Sequence, residues 1–343
     1  MKTFVVVTSI FAPTDAIRVM SQDRTCQVVV VGDRKTPQDW RCDHVEYLSL
    51  SRQNDVGPSL RDVLPFNHYC RKMAGYLYAV ARGAERIVDT DDDNIPKAGW
   101  RFPDHDGVFS CTDRDRGFVN IYELYTDQKI WPRGLPLNLI ATRSDLEKHL
   151  TRKTCRVGVW QGLADEDPDV DAVYRLTGGP LCFFAEREPV VLGEGTVSPF
   201  NSQNTQIHKD LFALLYLPTH VTFRFTDILR GLVAQPIMWL LGYQLGFTNA
   251  TVVQKRNPHD YMADFLSEIP MYEHCRTAVT TAAEIASSRH SIEDNLFNVY
   301  DALEGRGVVK KQELDVLTAW LKDMERARGD GARSTASGDS PTP

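Results

Sequence analysis

Short apolar runs alternate with longer mixed segments through the first third of the chain. Thr3 to Thr8, Gln27 to Val31, Arg86 to Asp89 and Gly107 to Cys111 are rich in Val, Ile and Phe and too short for buried helices, so they read as strands. Between them Asn67 to Arg82 carries Tyr69, Met73, Tyr76, Leu77 and Val80 on one helical face, with Gly83 just past its end. This alternation predicts an α/β fold with a mostly parallel central sheet covered on both faces. The first run has only Lys2 before it, is broken by Thr8 and Ser9, and meets no small-x-small cleavage site before Asp15, so it reads as a first buried strand and not as a signal peptide. Gly231 to Phe247 is apolar, but Gln235, Pro236 and Gln244 interrupt it and it is shorter than the roughly 20 residues of a membrane span, which predicts a buried helix.

Near the C-terminus, Ser288 to Arg326 places Ile292, Leu296, Val299, Tyr300 and Leu303 on one face and Leu314, Leu317, Trp320 and Leu321 on another. These helices are expected to pack on the core, ahead of dimerisation or membrane contact. From Gly329 to Pro343 the Gly, Ser, Thr and Pro content predicts disorder. The organisation expected is one domain over 1–270, a helical appendage over 271–328 and a tail over 329–343.

Composition narrows the class. With 343 residues, 42% of them hydrophobic, the chain can bury a sizeable core, and its net charge of −7 argues against a nucleic-acid partner. Seven scattered cysteines without a C-x-x-C pair fit reduced thiols in a cytoplasmic protein.

The chemistry concentrates at Ile87-Val88-Asp89-Thr90-Asp91-Asp92-Asp93-Asn94-Ile95-Pro96, where four carboxylates follow a strand. Such crowding costs folding energy unless a cation binds, and Mg²⁺ or Mn²⁺ with a substrate diphosphate is what one or two carboxylates commonly hold. The same residues also make a good solvated turn. The position favours a site, because open α/β sheets bind ligands at the carboxyl ends of their strands. Thr8, Ser9 and Asp33 fall on the same rim, where they touch a base or ribose or simply shape turns. Neither G-x-G-x-x-G after the first strand nor a P-loop is present, which disfavours dehydrogenases and P-loop NTPases. Further on, Arg133 lies between Pro132 and Gly134, suited to a phosphate or carboxylate. The acids Asp165, Glu166, Asp167, Asp169 and Asp171 suit a solvated turn or a site. Ser198 to Thr205 suits sugar hydroxyls or a turn, and Asp227 opens an apolar helix either as a cap or as a functional acid.

Asp-Thr-Asp-Asp-Asp-Asn-Ile-Pro, Trp131-Pro-Arg-Gly-Leu-Pro-Leu, Asp-Pro-Asp-Val-Asp-Ala at 167–172, Phe-Asn-Ser-Gln-Asn-Thr at 200–205, Asp-Ile-Leu-Arg-Gly at 227–231 and Gln-Lys-Arg-Asn-Pro-His-Asp at 254–260 occur in this order. Over roughly residues 1–270 this resembles the STELLO family of glycosyltransferase-like proteins and, more distantly, the reversibly glycosylated polypeptides that act as UDP-arabinopyranose mutases. The resemblance implies a GT-A-like nucleotide-sugar-binding fold and a divalent metal held by Asp91 and Asp93, with Asp92 at the sugar or ribose. It also implies that Arg133 sits near the sugar, as the arginine that the mutases glycosylate, and that Asp227 is a catalytic base or acceptor contact. A single Asp at 227, where the mutases have a pair, and Gln254-Lys255 in place of their aromatic-His pair depart from the mutase pattern. An anchor like that of the plant STELLO proteins is not expected from these residues. The expectation is a cytoplasmic, metal-dependent glycosyltransferase that uses a nucleotide-sugar donor and a glycan or lipid-linked acceptor, in surface polysaccharide or glycolipid synthesis. The alternatives are a nucleotide-sugar mutase and a non-catalytic sugar-nucleotide-binding subunit.

Overall fold

The computed structural model describes residues 1–256 and 260–337. β1 (Thr3–Thr8), α1 (Asp15–Gln22), β2 (Cys26–Val31), β3 (Val45–Leu48), α2 (Leu50–Val56), α3 (Lys72–Ala81) and β4 (Arg86–Thr90) form a half-sheet in the order β3-β2-β1-β4. Every pairing in it is parallel. The strands are apolar on both faces because both are covered: Phe4, Val6, Val29 and Val31 point to the side of α3, while Val5, Val7, Val28 and Val30 meet Ile17 and Met20 of α1. Gly75 lets α3 lie close on the sheet, since a Cβ there would come within 2.5 Å of Val6.

Beyond β4 the sheet becomes mixed. The following elements are β5 (Asn94–Pro96), β6 (Asp106–Cys111), β7 (Gly117–Phe118), β8 (Thr151–Glu166), α4 (Ala172–Leu176), β9 (Val190–Val191), β10 (Thr196–Val197), β11 (Asn204–His208), α5 (Thr226–Trp239) and β12 (Gln244–Gln254). β11 runs antiparallel between β4 and β8. The long β8 pairs with β6 through its first residues and with β12 through the rest. Only β7 and β10 stand apart, as a two-stranded sheet among the described residues.

The helix expected over 67–82 is shorter. Asn67 takes a left-handed φ of 53°, His68 caps a single tight turn at Tyr69–Arg71, and α3 starts only at Lys72. The run 231–247 is also not one helix. α5 stops at Trp239, Gly242 turns the chain at φ 74°, and β12 begins at Gln244.

α6 (Tyr261–Ile285), α7 (Ile292–Gly305) and α8 (Gln312–Ser337) close the fold. Leu296, Val299, Tyr300, Leu303, Leu317 and Trp320 are buried, as their spacing predicts. The appendage is tied in by polar contacts too. Buried Glu313 accepts from Thr219 N at 2.9 Å and His220 N at 2.6 Å, and Asp323 accepts from Leu60 N at 2.9 Å. α8 also runs through 329–337, which composition placed in the tail; Gly331 packs so near α3 that a Cβ would meet the Val80 carbonyl at 2.6 Å. The last six residues of the expected tail lie outside the described residues. No described helix is long and apolar enough to cross a membrane.

Candidate active site

Strand alternation separates the four acids after Val88. Asp89 turns into the core, where Lys72 of α3 at 2.8 Å and Arg230 of α5 at 2.7 Å match its charge. Asp91, Asp92 and Asp93 follow the end of β4 and line a cavity of about 220 Å³. Arg133, Asp169, Ser202, Arg224, Asp227, Gln254 and Arg256 complete its charged and polar wall. The sequence-predicted Asp91, Asp92, Asp93, Arg133 and Asp227, far apart in the chain, thus meet in one place.

Each acid of the trio has a different environment. Lys72 Nζ donates to Asp91 Oδ1 at 2.8 Å, and Ser9 Oγ donates to Asp92 Oδ2 at 2.5 Å. Gln254 Nε2 donates to Asp93 Oδ2 at 3.2 Å, while Asp93 Oδ1 is buried without a hydrogen-bond partner. Burial pushes Asp91 up to about 7; Lys72 opposes this and Asp93 adds repulsion. Burial also carries Asp92 to about 6 against the Ser9 bond, and it raises Asp93 against Gln254 and Arg256. The cavity is lined by five carboxylates and three guanidiniums, so two negative charges are in excess when all are ionised.

That excess and the partnerless Asp93 oxygen fit a divalent cation between Asp91 and Asp93. Among the described residues no group of three or more His, Cys, Asp or Glu side chains is arranged to ligate a metal. A hard cation held by two carboxylates takes its remaining ligands from phosphate oxygens and water.

An adjoining cavity of about 210 Å³ shares Thr8, Tyr69, Asp92 and Phe223 with the first and adds Ser9, Gly32, Asp33 and His68. Thr8, Ser9 and Asp33 therefore do lie on one rim. His68 Nδ1 accepts from Cys70 N at 3.1 Å and burial lowers its pKa to about 4, so the neutral ring carries its proton on Nε2. His68 stacks on Tyr69 with ring centroids 5.2 Å apart, and Phe223 meets Tyr69 edge-on at 4.7 Å. Together they form an aromatic wall.

Behind the acidic cavity lies a buried charge network centred on Asp169. Its Oδ1 accepts from Arg224 at 2.8 Å and from Arg256 at 2.6 Å, and its Oδ2 accepts from Arg133 Nε at 3.1 Å. Arg133 Nη2 also bridges both oxygens of Asp227 at 3.0 Å, and Nη1 donates to the Arg224 carbonyl. Pro132 and Gly134 do fix this guanidinium, but every nitrogen of it is already engaged by protein. Asp227 is not a helix cap, since α5 starts without a side-chain cap. Its oxygens also accept from Ser202 N at 3.1 Å and Tyr69 Oη at 3.3 Å.

The acids 165–171 are not a solvated turn. Asp165 and Glu166 end β8, Asp167 and Asp169 follow it, Asp171 caps α4, and Asp165, Asp169 and Asp171 are buried. Ser198 to Gln203 is a buried loop leading into β11, with Thr90 Oγ1 donating to the Gln203 carbonyl at 2.7 Å. Sequence reasoning missed Lys72, Arg224 and Arg256 as parts of the site. Lys72 left a trace, as the one charged residue in the otherwise apolar α3. Arg256 stood within the 254–260 motif but without a role, and Arg224 left no trace, because guanidiniums become buried only where distant carboxylates converge. Of the 254–260 motif, Asn257, Pro258 and His259 lie outside the described residues.

The fold is of the α/β class, with the acidic cavity at the carboxyl end of β4. In sequence the chain resembles the STELLO family: the model described as STELLO glycosyltransferases matches residues 224–330. Two Arabidopsis thaliana relatives, Probable glycosyltransferase STELLO1 and STELLO2, are 28% and 27% identical over 340 residues. The alignments cover 94% of this chain and 44% of each relative, so the chain spans less than half the length of the curated relatives it matches. Among solved structures, a mycobacterial protein aligns with TM-score 0.39 at 12% identity, over 84% of this chain and 76% of its own. M. tuberculosis glucosyl-3-phosphoglycerate synthase aligns with TM-score 0.34 at 10% identity, over 84% and 82%.

Proposed function

We propose that this protein is a metal-dependent glycosyltransferase that takes a nucleotide-sugar donor. The observation that carries the reading is the acidic cavity itself: carboxylates with two charges in excess and one partnerless buried oxygen, open to an aromatic-walled cavity beside it. Similarity to STELLO glycosyltransferases supports the same class.

In this reading Asp91 and Asp93 hold Mg²⁺ or Mn²⁺, which neutralises charge on the departing nucleoside diphosphate. The nucleoside lies along Tyr69 and His68, with Thr8, Ser9, Asp33 and Asp92 at its polar edge. Lys72 fixes the Asp91 carboxylate. Asp227 is the proton acceptor for an acceptor hydroxyl in an inverting displacement, and Arg133 holds it in place through both oxygens. With every Arg133 nitrogen engaged, the arginine is poorly placed to become a glycosylated residue, which favours transfer over the mutase reading. The acceptor is a glycan or lipid-linked sugar, and a soluble cytoplasmic setting suits the free thiols.

The test is thermal stability against a panel of nucleoside diphosphates and nucleotide sugars, each with Mn²⁺ and with EDTA, followed by incubation of the stabilising donor with and without acceptors. A shift that needs metal, with the donor inert until an acceptor is added, is the expected result. Isomerised donor would instead indicate a mutase, and no shift with any nucleotide would leave a scaffold.

A pH effect accompanies the site. Asp91, at about 7, and Asp92, at about 6, keep protons in the folded protein that the unfolded chain has lost above about pH 4. A folded pKa raised in this way gives stability that is present below the unfolded value and lost as pH rises through the folded one. The contribution of Asp91 and Asp92 to metal-free stability is therefore expected to fall from pH 5 to pH 7.5, against that of His68, whose lowered pKa makes its own contribution rise with pH. Melting curves of metal-free wild type and Asp91→Asn across that range check it: the wild type is expected to lose more, or gain less, than the variant as pH rises, and parallel profiles contradict it.

A further inference from the structure

Five basic side chains surround the acidic cavity or stand directly behind it, and they differ in whether they have donors to spare. Lys72 has three N–H groups and three partners, Asp89, Asp91 and the Ser202 carbonyl. Arg230 is turned toward Asp89 and the Asn201 carbonyl, away from the cavity lining. Arg133 uses all its nitrogens on Asp169, Asp227 and the Arg224 carbonyl. Arg224 uses all of its own on Asp169, Glu268 and the Val170 carbonyl. Every Nζ and Nη nitrogen of these residues is tied to protein, so they shape the site with their charge already matched.

Arg256 is the exception. It lines the cavity just after β12, with its side chain only 5% exposed. A single ion pair from Nη2 to Asp169 at 2.6 Å holds it, while Nε and Nη1 are buried and without hydrogen-bond partners among the described residues. Unmade bonds on a buried guanidinium are costly, and charged N–H donors suit phosphate oxygens; with Nη2 taken by Asp169, Nε and Nη1 lie on different edges of the group and each can take an oxygen singly. Asp169 meanwhile fixes the far side of the group, so it is already oriented before a ligand arrives. Asp93, with an unmade acceptor of its own, lines the same cavity close by, since β12 pairs with β5 there and Arg256 opposes the rise of its pKa. The cavity thus offers an acidic group and unpartnered guanidinium donors side by side.

We infer that Arg256 is a phosphate-binding residue of this site and donates from Nε or Nη1 to an oxygen of the donor's diphosphate; this rests on the nucleotide-sugar reading above. It is a binding residue distinct from Arg133, which carries the same charge but has all three of its nitrogens tied to protein.

The experiment is calorimetric titration of the wild type, Arg256→Gln and Arg256→Lys with the nucleoside diphosphate that gives the metal-dependent thermal shift, and with the parent nucleoside. The glutamine variant is expected to bind the diphosphate roughly tenfold to a hundredfold more weakly while binding the nucleoside as the wild type does. Lysine, which keeps the charge and loses the fork, is expected to recover only part of the difference. If wild type and Arg256→Gln bind the diphosphate equally, the assignment of Arg256 is overturned and the nucleotide-sugar reading stands. A parallel loss of diphosphate and nucleoside affinity overturns it too, by making the effect a general distortion of the cavity. If the wild type binds no nucleoside diphosphate, both fall.

Discussion

Asp93→Asn is expected to lower metal-dependent turnover by about 10²-fold or more and to leave the metal-free protein at least as stable as the wild type. Asparagine keeps an oxygen where Gln254 Nε2 donates at 3.2 Å, and it places an amide where the partnerless Oδ1 now stands. It also removes a charge that repels Asp91 and is itself repelled by Asp169. Without metal, those changes relieve strain. With metal, they remove a ligand. Activity and stability should therefore move in opposite directions, which a merely structural aspartate would not produce. The measurement is paired: donor turnover at saturating Mn²⁺, and melting temperature with EDTA. An undiminished Mn²⁺-dependent thermal shift in the variant would remove Asp93 from the metal site. Asp91→Asn is a less clean test, because Asp91 also receives Lys72, whose charge would then rest on Asp89 and the Ser202 carbonyl.

The parts of this arrangement that lie in local sequence could be read from it. β1, β2 and β4 are short runs of β-branched and aromatic residues whose apolar character on both faces follows from being covered on both, whereas β6 was read from its Val and Phe although Val108 is largely exposed. Asp91 to Asp93 could be placed at a strand end because the helix and the Gly83 turn before β4 are local signals. β8, β11 and β12 escaped, because mixed pairing around a long bent strand leaves no clean alternation, as the buried polar run Asn204 to Gln206 illustrates. The charges were legible only in part. Arg133 was singled out by its Pro and Gly neighbours, but that signal gives rigidity and says nothing of which carboxylates consume the donors. Asp169 and Arg224 are 55 residues apart and meet only through tertiary packing. A contact of that kind is written in no single segment, and so a buried ion-pair centre looked like one more acid in an acidic run.

That centre makes the other large effect. Asp169→Asn is expected to destabilise the fold by about 3–5 kcal/mol, the scale for removing one partner from a buried ion pair. Three guanidiniums converge on this one carboxylate, and burial, which opposes its charge, is outweighed by Arg133, Arg224 and Arg256, which hold its pKa well below the usual carboxylate range. After the substitution Arg133 retains Asp227 and Arg224 retains Glu268, whereas Arg256 loses the one ion pair it makes among the described residues. Most of the cost should therefore come from Arg256, which is left with only the longer-range attraction of Asp93. A double variant decides this. Adding Arg256→Gln to Asp169→Asn should recover a substantial part of the lost stability, since it removes the stranded charge, and the coupling appears as non-additivity in a double-mutant cycle of urea midpoints at constant m. Strict additivity would mean that Asp169 stabilises the fold chiefly through Arg133 and Arg224, and the Arg256 guanidinium would then be free to move without consequence for the core.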